Sequence, residues 1–185
     1  MGHIFILIGP SGTGKTTLAE RAKREGLTDS VVTYTTSLPR LGEDLGRDYR
    51  FLTPEDFIRR QQRGDFVDSE QIFSQHYGIL RKDWEQAQNF RKPAILPLWY
   101  QGARRLKRSY RPDVTVIGVL PPSPETLRQR LKKRTQSDDA TDRAMRRLNW
   151  EVQTVRTLAD YVVVNDVLQD AYLELRQWLT TIGLR

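Results

Sequence analysis

Ile4-Phe5-Ile6-Leu7-Ile8-Gly9-Pro10-Ser11-Gly12-Thr13-Gly14-Lys15-Thr16-Thr17 is the stretch on which the fold turns. Five consecutive apolar residues predict a strand buried on both faces, because a strand with one wet face would alternate. The chain then reads G-x-x-x-x-G-K-T, and Thr17-Leu18-Ala19-Glu20 opens a helix. Glycines at 9, 12 and 14 let backbone amides converge on an anion. Lys15 can reach the outer phosphates and the Thr16 hydroxyl can ligate magnesium. The helix that starts here adds its partial positive charge to the same place. Strand, loop and helix in this order predict a nucleoside triphosphate site built from Gly9, Ser11, Gly12, Thr13, Gly14, Lys15, Thr16 and Thr17.

The rest of the composition bounds the setting. At 185 residues the chain predicts one domain with room for a substantial core. It has no apolar run of membrane length and no signal-peptide pattern. The absence of cysteine excludes disulfides and thiolate metal sites and suits a cytoplasmic protein. The net charge of +7 fits phosphate-rich small substrates as well as nucleic acid. The arginines are spread along the chain rather than packed into a basic tail, which argues against nucleic acid.

A coarse pass gives alternating strands and helices. Strands are expected at Ile4–Ile8, Val31–Thr36, Tyr49–Leu52, Ala94–Leu98, Val114–Leu120 and Tyr161–Val164, with short extended pieces at Phe66–Val67 and Ile72–Phe73. Helices are expected from Thr16 to about Glu25, from Pro54 with Thr53 as cap, over Lys82–Asn89, from Glu125, over Arg143–Thr157 and over Leu168–Ile182. Uniformly apolar strands separated by helices predict an α/β fold with a parallel sheet covered on both faces. His3 and His76 show no spacing for a metal or a triad.

The second motif follows the second strand: Thr35-Thr36-Ser37-Leu38-Pro39-Arg40-x-Gly42-Glu43-x-x-Gly46-x-Asp48-Tyr49-x-Phe51, with Tyr77-Gly78 downstream. In this order and spacing it resembles guanylate kinase, whose pattern is T-T-R-x-P-R-x-G-E-x-x-G-x-D-Y-x-F and then Y-Y-G. The resemblance runs over nearly the whole chain, through Gln101-Gly102-Ala103, Leu120-Pro121-Pro122-Ser123 and Val164-Asn165-Asp166. It implies a P-loop nucleoside-monophosphate kinase. Its parallel-sheet core would occupy about 1–33, 92–125 and 158–185, an acceptor-binding subdomain about 34–91, and a helical lid about 126–157.

The resemblance also implies roles. Arg40 matches an arginine that grips the acceptor phosphate, and Tyr49 and Tyr77 match phenols that hydrogen-bond it; a guanidinium fork and neutral donors suit a phosphate. Ser37 and Gly78 fall in the same substrate-binding segments. Asp68 stands where the family has a glutamate that reads the guanine edge. Arg130 and Arg134, four apart on one helix face, match arginines that bridge the transferred phosphoryl and clamp the ATP adenine. A third lid arginine is open between Arg143, Arg146 and Arg147, since the ungapped register puts Met145 there. Asn165 matches an asparagine near the ATP base.

The departures fall in the acceptor half. Ser37 replaces one phosphate-binding arginine. Leu96-Pro97-Leu98-Trp99 stands where the family has L-D-I-D, so two aspartates are missing. Ile79 occupies a position usually held by a hydroxyl residue that faces the base. The expected reaction is in-line transfer from MgATP to a phosphorylated small acceptor, GMP or dGMP by resemblance, with Lys15, Arg40, Arg130 and Arg134 as catalytic residues and Thr16 on Mg2+. A kinase for a non-guanine acceptor such as ribose 1,5-bisphosphate, and a phosphopeptide-binding module like those of scaffold proteins, are the alternatives. The intact phosphate loop speaks against the latter. A monomer or homodimer is expected.

Overall fold

The computed structural model describes residues 2–37, 49–72, 74–135 and 137–183. In chain order the elements begin with β1 (Ile4–Ile8), α1 (Lys15–Arg24), β2 (Asp29–Ser30), β3 (Tyr34–Thr35), β4 (Arg50–Phe51) and α2 (Pro54–Gln62). They continue with β5 (Phe66–Ile72), β6 (Gln75–Leu80), α3 (Arg81–Ala87), β7 (Ala94–Pro97) and α4 (Tyr100–Ser109). The chain closes with β8 (Val114–Leu120), α5 (Pro124–Thr135), α6 (Asp138–Leu158), β9 (Tyr161–Val164) and α7 (Leu168–Gly183).

The main sheet is parallel, in the order β2-β7-β1-β8-β9. The apolar run of β1 is explained by what covers it. Ile4, Ile6 and Ile8 pack with Trp84, Tyr100, Leu106 and Val155 on one face. Phe5 and Leu7 pack with Leu18, Tyr172 and Leu175 on the other. From β1 the chain builds β2 and β7 on one side and then crosses to β8 and β9 on the other, and the crevice at the C-terminal end of β1, where the direction reverses, is where such sheets bind ligands. The phosphate-loop sequence begins at that end.

A second sheet, ordered β4-β3-β6-β5, stands over the crevice. Its β3–β6 and β5–β6 pairs are antiparallel, and Tyr34, Phe57, Phe66 and Leu80 form its own small core. Thr53 caps α2 as expected, its hydroxyl accepting the Asp56 amide at 3.1 Å. A third unit is the helix pair α5 and α6, held together by Leu127, Leu131 and Leu148.

Several expectations require correction. The stretch Val31–Thr36 is not one strand. Residues 29–30 pair with β7 in the main sheet, and residues 34–35 pair with β6 in the second. The two extended pieces around residues 66 and 72 are one strand, β5, because β6 supplies a continuous partner; Phe73 lies outside the described residues. Helix α4 is absent from the sequence-based expectations, although Tyr100, Ala103 and Leu106 recur at helical spacing opposite a basic face. Among the described residues no helix is long and apolar enough to cross a membrane.

Candidate active site

The crevice is a cleft of about 610 Å³, within the range of small-molecule sites. One end is the phosphate loop, with Gly9, Ser11, Gly12, Gly14, Lys15, Thr16 and Thr17 lining it. Gly14 is the N-cap of α1 at φ 94° and has no side-chain capping bond. The first-turn amides of α1 are therefore left to an incoming anion. A Cβ at Gly14 would lie 2.4 Å from Asn165 Nδ2, and one at Gly9 would lie 2.1 Å from the Val119 carbonyl oxygen. Glycine is needed at both, because the loop is pressed against β8 and against the turn after β9. This cradle and its donor set fit a polyphosphate.

Lys15 Nζ donates to the carbonyls of Gly9 at 2.7 Å and Pro10 at 2.9 Å, so its ammonium is folded back over the loop. Burial pushes Lys15 down to about 8; the Glu151 carboxylate opposes that shift and Arg134 adds to it. Glu151 is 2% exposed and pairs with Arg147 at 3.5 Å. Its own carboxyl is pushed upward by burial, against the pull of Arg147 and Lys15. The local sequence marks Glu151 only as an i,i+4 partner of Arg147; its charge interaction with Lys15 of α1 comes from the fold.

The α5–α6 pair supplies the remaining cations. Arg134 Nη1 donates to Ser11 Oγ at 3.2 Å. Arg130 lines the cleft, but its guanidinium donates to the carbonyls of Asn165 at 2.8 Å and Asp166 at 3.0 Å, anchoring α5 to the turn after β9. Of the three candidates for a third lid arginine, Arg147 lines the cleft, while Arg143 and Arg146 are exposed. Met145, at the ungapped position, packs instead against the leucines of the lid.

The other end of the cleft belongs to the second sheet. Ser37, Tyr49 and Tyr77 line it, and the two phenol rings meet edge to face at 6.1 Å. Arg40 lies outside the described residues. Pro97, Leu98 and Trp99 also form the wall. Four of the expected residues are placed elsewhere. Thr13 is buried behind the loop, its hydroxyl donating to Pro10 O at 3.0 Å. Asn165 is buried too, its amide donating to Thr13 O at 2.8 Å. Gly78 backs onto the Phe66 ring, where a Cβ would approach to 2.8 Å. Asp68 is held by Arg105 at 2.5 and 3.1 Å and does not line the cleft. Ile79 is 1% exposed and belongs to the core, so it does not face the cleft. The acidic residue that does line it, among the described residues, is Glu70.

Known proteins show the same arrangement of sequence and fold. The family model described as guanylate kinase matches residues 1–182. The guanylate kinase of Myxococcus xanthus (strain DK1622) is 38% identical over 178 residues, covering 95% of this chain and 84% of that protein. That of Thermotoga maritima is 37% identical over 173 residues, covering 92% and 82%. The crystal structure of guanylate kinase from Anaplasma phagocytophilum superposes with a TM-score of 0.79 at 26% identity, covering 100% of this chain and 87% of that one. Family model, curated relatives and solved structure each match over nearly the whole chain, and the chain belongs to the guanylate kinase family of phosphotransferases.

Proposed function

We propose that the protein transfers the γ-phosphoryl group of ATP to the phosphate of GMP or dGMP, yielding ADP and GDP or dGDP. The observation that carries this reading is the single cleft with Lys15, Arg134 and Arg147 at one end and Tyr49 and Tyr77 at the other. Such a cleft can hold two phosphate-bearing molecules end to end. The relatives' names supply the acceptor.

In this mechanism Lys15 leaves its carbonyl partners to hold the outer phosphates of ATP, and the α1 amides hold the rest. The Thr16 hydroxyl is the protein ligand for Mg2+. A magnesium ion held there would take most of its other ligands from phosphate oxygens and water, as magnesium commonly does. Bound there, Mg2+ neutralises charge that develops on the phosphates. Tyr49, Tyr77 and the Ser37 hydroxyl donate to the acceptor phosphate, and Arg40 adds a guanidinium by family resemblance. Arg134 and Arg147 face the transferred group and stabilise its equatorial oxygens. Arg130 fixes the lid that carries Arg134. A general base is unnecessary, because the acceptor phosphate is already an anionic nucleophile.

The test is ADP release measured with GMP, dGMP, AMP, UMP and ribose 1,5-bisphosphate as separate acceptors. Turnover with the two guanine nucleotides in clear preference to the others is expected. Turnover with ribose 1,5-bisphosphate and none with GMP would overturn the assignment.

A further inference from the structure

Two carboxylates project from β5 toward α4. Asp68 and Glu70 are two residues apart and share a strand face, and one cation, Arg105 from α4, stands between them. The guanidinium engages both oxygens of Asp68, at 2.5 and 3.1 Å, and approaches Glu70 only at 3.5 Å. Asp68 is thereby neutralised and buried, its side chain 7% exposed. Glu70, with a side chain 9% exposed, is left on the wall of the cleft beside Leu98 and Trp99.

The remaining contacts of Glu70 hold it still. It accepts the backbone N–H of Gly102, in the first turn of α4, a helix whose N-cap Trp99 makes no side-chain capping bond. A carboxylate at that terminus is favoured by the helix dipole. Glycine at 102 makes room for it, because a Cβ there would lie 2.7 Å from Asp68 Oδ2 and 3.4 Å from Glu70 Oε1. A carboxylate has about four acceptor sites. Arg105 and Gly102 use two, and the cleft side retains the rest.

We propose that Glu70, rather than Asp68, reads the base of the acceptor nucleotide, accepting two adjacent N–H donors on one base edge; this rests on the guanine-nucleotide reading above. Guanine presents such a pair, N1–H beside the 2-amino group. Adenine presents an acceptor at N1, which an ionised carboxylate repels. Leu98 makes the wall around Glu70 apolar, so an unpaired donor or acceptor there is costly. Trp99 adds a flat ring against which a base can lie. Glu70 pairs across the sheet with Tyr77, so the base-reading and phosphate-holding side chains share one rung. Burial and the neighbouring Asp68 charge push the Glu70 carboxyl upward while Arg105 and Gly102 pull it down, as expected of an acid kept partly dry for a ligand.

The experiment compares GMP with inosine 5′-monophosphate, which lacks the 2-amino group, as acceptors in kcat/KM and as ligands in calorimetry without ATP. The ratio is internal to each variant and so is insensitive to the fraction folded. Glu70→Gln is expected to lower the GMP-to-IMP ratio by about tenfold or more, because one acceptor for the paired donors is replaced by a donor. Glu70→Asp, which keeps the charge but shortens the reach, is expected to lower it also. Asp68→Asn is expected to leave the ratio within about threefold of wild type. An unchanged ratio in both Glu70 variants, or a collapse in Asp68→Asn alone, would overturn the proposal. If the wild-type protein fails to use GMP, the functional reading itself falls, and this assignment with it.

Discussion

The side-chain amide of Asn165 donates to the carbonyl of Thr13 at 2.8 Å, across 152 positions of sequence. This bond braces the phosphate loop from behind with the turn after β9. Arg130 of α5 is anchored on the carbonyls of the same turn. The loop and α5 are thus referenced to one point of the sheet, and Gly14 fits between because it has no side chain to meet the Asn165 amide.

Asn165→Ala leaves the buried Thr13 carbonyl without its donor. A loss of about 1–3 kcal/mol in stability is expected, together with weaker ATP binding. Thermal denaturation and ATP titration check both. Wild-type values for the pair would show that the brace carries no weight.

Lys15 should make ATP affinity depend on pH. Its ammonium titrates near 8 in the ligand-free protein, and only the charged form pairs with phosphate. Affinity should be level below that value and fall about tenfold per unit of pH above it. For stability the sign is opposite. The unfolded chain holds this proton up to the ordinary value of 10.5, so the cost of burying this group weighs against folding below about 8 and fades as pH rises toward 10.5. Calorimetric titration over this range checks the binding arm, and an affinity independent of pH would contradict it.

Arg147 is expected to do two separable things. Arg147→Ala strips the buried Glu151 carboxylate of its partner, costing about 1–3 kcal/mol of stability, and lowers kcat by about 100-fold through the lost phosphoryl contact. Combining it with Glu151→Gln should restore most of the stability and none of the turnover. Recovery of kcat in the double variant would place Arg147 outside the chemistry.

Gly118, in the buried strand β8, lets α6 approach the sheet; a Cβ there would lie 2.3 Å from Val155 Cγ1. Gly118→Ala should therefore cost about 1–3 kcal/mol by overpacking, read by urea denaturation. A neutral effect would mean that α6 yields freely.

How much was legible in the sequence depended on how local the determinants were. The bounds of β1, β8 and β9 follow from apolar runs that end at loop-forming residues. The phosphate loop was legible because its glycines, Lys15 and Thr16 act within one turn of chain. The split of residues 29–35 between two sheets was not legible, since periodicity cannot tell when a chain changes partners. The family pattern points to Asp68, and nothing in the sequence singles out Glu70. Which carboxylate meets the cleft is decided by Arg105, 37 residues away, and by the free amides of α4. The same holds for Met145, whose burial among lid leucines hands the cleft to Arg147.

The most direct measurement is 31P NMR of an equimolar mixture of ATP and GMP with Mg2+ and the wild-type protein, repeated with Lys15→Ala. GDP and ADP should appear in equal amounts with the wild type, and neither should appear with a folded Lys15→Ala protein. ADP accumulating without GDP, or a GMP signal unchanged throughout, would contradict phosphoryl transfer between the two nucleotides.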